Sequence, residues 1–353
     1  MTAILPAVTA VLALVFSLAL GDQWRERHQP FQIIWAAGML FFGIAAGCEA
    51  IAALGGWNEA LYRIWYLTGA LLTAGWLGLG TAFLLARTRF GYAFALCLLL
   101  AGLFTFLTQR RYDYPDAGIS PILYFIAAAV FALAVGIESY FANERWPYIA
   151  AVAVVGASLL GLLLMVTTTL APPGYALDPA TGVPVASLFP GTLRLLSPFL
   201  NITGGIALIL GAVFSTYVFM PKRRVLAYSL DAHQKFDEFL FNLIISPIAI
   251  TANFLASLPG AWRALRAGKI HSRVPATILI AVGAFIPSVT DSLNRFGVTY
   301  VFQLGKFLGV VFLFIGFLVS IEVFREIRIP FTRIVLRTGR VERAPVSGAA
   351  DAP

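Results

Sequence analysis

Charged residues are scarce in this chain of 353 residues, where Asp, Glu, Lys and Arg together make up 12%. A soluble globular domain carries about 25% charged residues, so this fraction excludes an ordinary soluble fold. The apolar residues collect in runs of about 18 residues or more, the length at which a helix crosses a bilayer. These runs do not alternate with polar residues, which excludes a transmembrane β-barrel. The sequence therefore predicts an all-α, polytopic membrane helical bundle.

The residue types that carry most protein chemistry are also few, with three histidines and two cysteines. His28, His233 and His271 fall in predicted loops, which excludes a bundle with axial haem histidines and a histidine proton relay. Metal-protease, CxxC, phosphate-loop and nucleophile-elbow motifs are absent. Cys48 and Cys97 lie at different depths of different runs, so we predict packing residues rather than a disulfide. The sequence predicts no cofactor and no metal, and it disfavours an enzyme.

The apolar runs predict about nine transmembrane helices, seven within residues 1–220 and two within residues 275–326. Between them lies a basic cytoplasmic segment, residues 221–274, and a basic and then disordered tail follows at residues 327–353. The first run, residues 3–20, is predicted to be a retained helix, because no basic residue precedes it and no small-residue cleavage site follows it. The chain is thus divided into two groups of membrane helices and two basic segments.

The basic residues predict the orientation of the bundle. With nine spans and the N-terminus outside, most of the 25 Lys and Arg residues fall on the cytoplasmic side, as the positive-inside rule requires. The net charge of +8 then indicates contact with anionic lipid headgroups rather than with nucleic acid. The residues assigned to the membrane surface are Lys222, Arg223, Arg224, Arg263, Arg266 and Lys269. We predict a multi-pass protein of the cell membrane with a cytoplasmic C-terminus.

One apolar run, Phe239–Leu258, is long enough to cross the membrane but is not counted among the nine spans. If it crossed the membrane, the last two helices would invert and the basic residues around them would lie outside. The run also contains Ser246-Pro247, and a broken backbone at membrane depth needs protein or water to satisfy it. We therefore predict a re-entrant or interfacial element on the cytoplasmic face, with basic amphipathic flanks along the headgroups. The alternative for these flanks is a solvated loop.

Ionisable residues inside the spans are candidate functional residues, because a charge in hydrocarbon must be paired or hydrated. Glu49, Asp291 and Lys306 all fall in the predicted outer half of the membrane. We predict that Lys306 pairs with Asp291 or Glu49, and that Asn201 and Thr168 line the same polar pocket, open to the outside. This pocket would bind a substrate or an ion. The alternative is a structural ion pair that holds helices together.

Two pairs of glycines, Gly43-xxx-Gly47 and Gly305-xxx-Gly309, allow close contact between helices. Such a contact serves either packing within one chain or a dimer face. A homo-oligomer or a membrane-protein partner therefore remains open.

Three functions remain open for this integral membrane protein. The first is a transporter or channel for a small polar or ionic solute, which the intramembrane charges and the Ser-Pro segment favour. The second is a non-catalytic sensor, receptor or assembly subunit, which needs an outer pocket without a path through the protein. The third is an enzyme that modifies lipids or isoprenoids, which is disfavoured because no acidic or nucleophilic residues cluster.

Overall fold

The chain folds as a bundle of long helices followed by a short β-ribbon. The structure is a computed structural model, and it describes residues 3–141, 144–179, 182–228, 239–267, 273–295, 300–320, 326–328 and 335–337. The helices are α1 (Ile4–Arg27), α2 (Pro30–Gly55), α3 (Glu59–Leu84), α4 (Phe90–Tyr112), α5 (Ser120–Tyr140), α6 (Trp146–Thr167), α7 (Gly191–Phe219), α8 (Phe239–Arg266), α9 (Arg273–Arg295) and α10 (Tyr300–Val319). Strands β1 (Glu326–Arg328) and β2 (Val335–Arg337) pair antiparallel.

Nine helices in the described part of the chain are long and apolar enough to cross a membrane, namely α1 to α7, α9 and α10. Helices form here because every backbone N–H and C=O must find a partner within the segment when water is absent. Local signals set several boundaries: Pro30 occupies the first turn of α2, and the Asn58 side chain caps α3 by accepting a hydrogen bond from the N–H of Leu61 at 2.9 Å. The prediction of an all-α polytopic bundle is confirmed.

Helix α9 begins at the same end of the bundle at which α7 ends. The Arg273 guanidinium lies 4.1 Å from the centre of the Phe219 ring, and the hydroxyl oxygens of Thr277 and Thr216 are 2.7 Å apart. The end of α7 and the start of α9 therefore lie at one end of the bundle. Because α8 is the single long helix described between them, it does not carry the chain across. We call this end the α8 end and the opposite one the Glu49 end.

Helix α8 is continuous over 28 residues, Phe239–Arg266. The predicted break at Ser246-Pro247 is wrong, because both residues lie inside the helix. Proline is also accommodated within α7, at Pro198, and within α9, at Pro287. The continuity of α8 removes the break on which the re-entrant prediction rested.

Polar side chains of α8 fix it against the segment that follows α7. Asn253 Oδ1 accepts hydrogen bonds from the N–H groups of Val225 and Leu226 at 2.7 and 2.9 Å, and Asn253 Nδ2 donates to the Leu226 carbonyl at 2.8 Å. Ser257 Oγ accepts from the N–H of Arg223 at 2.8 Å. Both polar side chains are almost completely buried. The middle of α8 is thereby held just beyond the last turn of α7.

The predicted glycine pairs pack helices against one another within the chain. A Cβ atom at each of these positions would meet one neighbouring helix, α1 for the first pair and α9 for the second. The contacts are Gly43 with Leu14, Gly47 with Ala10, Gly305 with Thr290 and Gly309 with Pro287. The close helix contact is confirmed, and in each case it joins helices of the same chain.

The hairpin of α9 and α10 docks on α1 and α2 through aromatic rings near the α8 end. The Phe16 ring centre lies 4.8 Å from that of Phe314 and 5.1 Å from that of Phe317, while Trp35 and Phe317 are 4.6 Å apart. Each such pair contributes about 0.5–1.5 kcal/mol beyond its buried area. The hairpin is therefore firmly anchored at this end, and a further attachment lies at the Glu49 end.

Candidate functional site

Two of the predicted intramembrane charges meet at the Glu49 end of the bundle. Lys306 Nζ lies 2.5 Å from Glu49 Oε1, and the two side chains retain 18% and 5% of their exposure. Each residue lies six positions from the end of its helix, a depth of about 9 Å at a rise of 1.5 Å per residue. The predicted pairing of Lys306 with one of two carboxylates is confirmed for Glu49. The ion pair joins α2 to α10.

Two neutral donors hold the Glu49 carboxylate in place. Trp65 Nε1 donates to Oε1 at 2.8 Å, and Gln303 Nε2 donates to Oε2 at 2.9 Å. Gln303 lies three residues before Lys306, so both side chains project from one face of α10. Sequence reasoning missed both donors, although a glutamine one turn from an intramembrane lysine was a visible signal. The carboxylate thus has a fixed geometry that does not depend on Lys306 alone.

The Lys306 ammonium also lies over an aromatic ring. Its nitrogen is 4.0 Å from the centre of the Phe302 ring, one turn earlier on α10, and Phe302 is buried. A cation over an aromatic face is attracted by the negative charge density of the ring. The ammonium position is therefore defined by a carboxylate oxygen and an aromatic face.

Two other predicted pocket residues make their hydrogen bonds elsewhere. Asn201 Nδ2 donates to the Ala70 carbonyl at 2.9 Å and to Ser197 Oγ at 3.1 Å. The Thr168 carbonyl accepts from Arg63 at 2.7 Å, and its hydroxyl donates back to its own helix. These contacts join neither residue to Glu49 or Lys306, and their place in a common pocket stays a prediction. Sequence position did not indicate the direction in which these side chains project around their helices.

The remaining predicted residues are Asp291 and the basic residues assigned to the membrane surface. Asp291 is part of α9, but its side chain falls outside the described residues, as does all of Lys269. The other basic residues assigned to the membrane surface are exposed: Lys222, Arg223, Arg224, Arg263 and Arg266.

A seven-residue π-helix, Tyr66–Leu72, interrupts α3 directly after Trp65. Such segments are rare and occur frequently at functional sites. The Ala70 carbonyl within it accepts hydrogen bonds from Ser197 Oγ at 2.8 Å and from Asn201 Nδ2, both on α7. One irregular stretch of α3 therefore connects the Glu49 carboxylate with the polar side chains of α7.

The loop between α6 and α7 packs over the start of α3 at the Glu49 end. The Tyr62 hydroxyl donates to the Val185 carbonyl, and the Tyr62 ring stacks on Phe189 with centres 4.8 Å apart and an interplanar angle of 4°. Trp65 follows one turn later on the same side of α3, and its ring centre is 6.0 Å from that of Tyr62. This loop is thus packed one turn from a donor of the Glu49 site.

Helix α8 has two opposite faces. Ala249, Asn253, Ser257 and Ala261 recur every four residues and are buried against the bundle. The opposite face carries exposed side chains at helical spacing, and we call it the α8 stripe: Ile244, Ile248, Thr251, Leu255, Leu258 and Trp262. At its end the Arg266 guanidinium lies 5.0 Å from the centre of the Trp262 ring. An apolar stripe that ends in tryptophan and arginine is typical of a helix at the membrane surface.

The described residues contain no group of three or more His, Cys, Asp or Glu that could hold a metal ion. Cys48 and Cys97 are buried and free, as the sequence predicts. No protein-family model, no curated protein and no solved structure matches the chain. The functional interpretation of this integral membrane protein therefore rests on the geometry of the Glu49 site.

Proposed function

We propose that the protein is a transporter for a small ionic solute and that the Glu49 carboxylate is its ligand site. The observation that carries the proposal is a membrane-embedded carboxylate held by two neutral donors, with the Lys306 ammonium as its counter-charge. Ionisable side chains at such depth are costly and mark solute or ion pathways. Glu49 is short and 5% exposed, whereas Lys306 is long and 18% exposed. The carboxylate is the fixed partner and the lysine the movable one.

The ion pair couples ligand binding to the hairpin of α9 and α10. The hairpin is anchored by aromatic packing at the α8 end and by Lys306 and Gln303 at the Glu49 end. A ligand that replaces Lys306 removes one of the two hydrogen bonds by which α10 is held to Glu49. A ligand shifts a conformational equilibrium by as much as its affinities for the two states differ. Because the ligand and Lys306 compete for Glu49, the ligand has the higher affinity for the state in which Lys306 has left the carboxylate.

The π-helix of α3 offers a second route of coupling. Trp65 donates to Glu49, and the next seven residues are the π-helix, whose Ala70 carbonyl is held by Ser197 and Asn201. A change at the carboxylate therefore acts on the irregular part of α3 and, through it, on α7. Discontinuous or distorted helices build the sites of many secondary transporters.

Flux through proteoliposomes tests the proposed function. We expect purified wild-type protein to carry a small cation, such as methylammonium, into liposomes under an inside-negative potential. Glu49→Gln removes the fixed charge and should abolish this flux. Glu59→Gln is the matched control, since Glu59 is a carboxylate at the same end that pairs with Arg63 and is half exposed. Saturable binding without flux would contradict transport and favour the sensor or receptor.

We further propose that the Glu49 end faces the outside of the cell and the α8 end the cytoplasm. The exposed arginines at the α8 end, among them Arg224 and Arg266, then lie on the cytoplasmic side at anionic headgroups. The α8 stripe would lie against the acyl chains of that leaflet. A membrane-impermeant maleimide should label Ala171→Cys in intact cells and Arg224→Cys only after permeabilisation. Both positions are exposed and the native cysteines are buried, so labelling in the reverse order would contradict this orientation.

A further inference from the structure

The Lys306 side chain occupies a site suited to a cation of its own kind. Glu49 Oε1 receives the ammonium at 2.5 Å, and the Phe302 ring lies 4.0 Å from the same nitrogen. A primary ammonium bound at this position can donate a hydrogen bond to a carboxylate while it lies over an aromatic face. These are the two elements by which proteins recognise ammonium ligands.

The Glu49 carboxylate also accepts two hydrogen bonds that do not come from Lys306. Trp65 and Gln303 donate to different oxygens of Glu49 and come from different helices, α3 and α10. An ionised carboxylate offers about four lone-pair positions, so two neutral donors leave acceptor capacity for a cation. The site therefore has an anionic partner whose orientation does not depend on Lys306 alone.

We infer that the Glu49 site takes a small ammonium-type cation, which occupies the position of the Lys306 ammonium while the lysine side chain extends toward the Glu49 end. Long lysine side chains near helix ends reach the interface in this way. The inference rests on Glu49 being the ligand site of the proposed function, but it does not require flux. It assigns the chemical class of the solute. Lys306 then competes with the solute for the Glu49 carboxylate, as a cation that is tethered to the protein.

Other ligand classes fit this site less well. An anion would have to displace Glu49, which is nearly buried and held by three donors. A divalent metal needs several oxygen ligands, and the described part of the chain has no group of three or more His, Cys, Asp or Glu that could supply them. A monovalent metal ion lacks the N–H group that lies 2.5 Å from Glu49 in the lysine-bound state. An ammonium ion matches charge, hydrogen bonding and ring contact together.

Equilibrium binding to purified protein in lipid nanodiscs tests this inference separately from transport. We expect methylammonium to bind wild-type protein saturably, with potassium and tetramethylammonium weaker, since neither donates a hydrogen bond. Lys306→Met should tighten methylammonium binding about tenfold or more, because a tethered competitor has an effective concentration in the millimolar range. Glu49→Gln should abolish binding, whereas the control Glu59→Gln should leave it unchanged.

The outcomes separate the inference from the proposed function. Absence of methylammonium binding to wild-type protein, or equal binding by Glu49→Gln, would overturn the ammonium site. If Lys306→Met does not fold, the comparison of wild type with Glu49→Gln still decides. Binding without flux would support the site and overturn the transporter. Flux of another ion that depends on Glu49, without methylammonium binding, would support the transporter and overturn the ammonium ligand.

Discussion

Lys306→Met should destabilise the folded protein by roughly 3–5 kcal/mol, the cost of leaving a buried charge without its partner. The methionine keeps an unbranched stem of similar length, so packing changes little. The Glu49 carboxylate, which is 5% exposed, then lacks its cation and cannot reach the surface. Thermal unfolding in detergent should show a clearly lower midpoint for this variant.

Glu49→Gln should reduce the free energy of unfolding less than Lys306→Met does, because the freed lysine can extend toward the Glu49 end and recover hydration. The double variant Glu49→Gln/Lys306→Met should regain most of the loss, since it leaves no unpaired charge. The control Glu59→Gln breaks an i,i+4 pair whose carboxylate is half exposed, and about 0.3–0.5 kcal/mol is expected for such a helix pair. Equal melting temperatures for wild type and Lys306→Met would show that the pair is not desolvated, which would contradict this account.

Gly204→Ala should destabilise the bundle by about 3 kcal/mol or more, above the usual range of about 1–3 kcal/mol for overpacking. Helices α3 and α7 cross here at backbone distance. A Cβ at Gly204 would overlap the Ala74 carbonyl, and one at Gly78 would overlap Gly204 itself. No flexible side-chain end can move to make room. Small residues permit such approaches between membrane helices.

Gly205→Ala is the matched control for this prediction. It lies on the same helix, but a Cβ there meets nothing within 4 Å. Replacing an open helical glycine with alanine gains up to about 1 kcal/mol through helix propensity. The midpoint of thermal unfolding should therefore fall for Gly204→Ala and stay level or rise for Gly205→Ala. A similar loss for both would indicate that the α3–α7 crossing is looser than described.

The membrane spans could be predicted from the sequence because hydrophobic length and backbone satisfaction leave few alternatives. The Glu49–Lys306 pair could be predicted for a related reason, since a charge at membrane depth needs a partner and both residues lie at the same depth. The glycine contacts also followed from composition, as Gly305 and Gly309 offer no side chain to separate helices. These features depend on how far along its helix a residue lies, and that distance follows directly from its position in the sequence.

Features that depend on the direction of a side chain around its helix could not be predicted. Asn201 lies at a plausible depth for the Glu49 site but points to Ala70 on α3. Trp65 and Gln303 are neutral donors whose contact with Glu49 follows only from the way α2, α3 and α10 pack. The π-helix of α3 has no local sequence signal. The continuity of α8 through Ser246-Pro247 was missed because proline weakens a helix without always ending it.

The central claim is that a cation at Glu49 replaces Lys306 and loosens the hairpin of α9 and α10. Hydrogen–deuterium exchange of the peptides covering α10 tests this most directly, with and without saturating methylammonium. We predict that the ligand increases exchange in the first turns of α10, near Gln303 and Lys306, and leaves the aromatic anchor around Phe317 unchanged. Glu49→Gln should show no response. Unchanged exchange in the ligand-bound wild-type protein would contradict the claim.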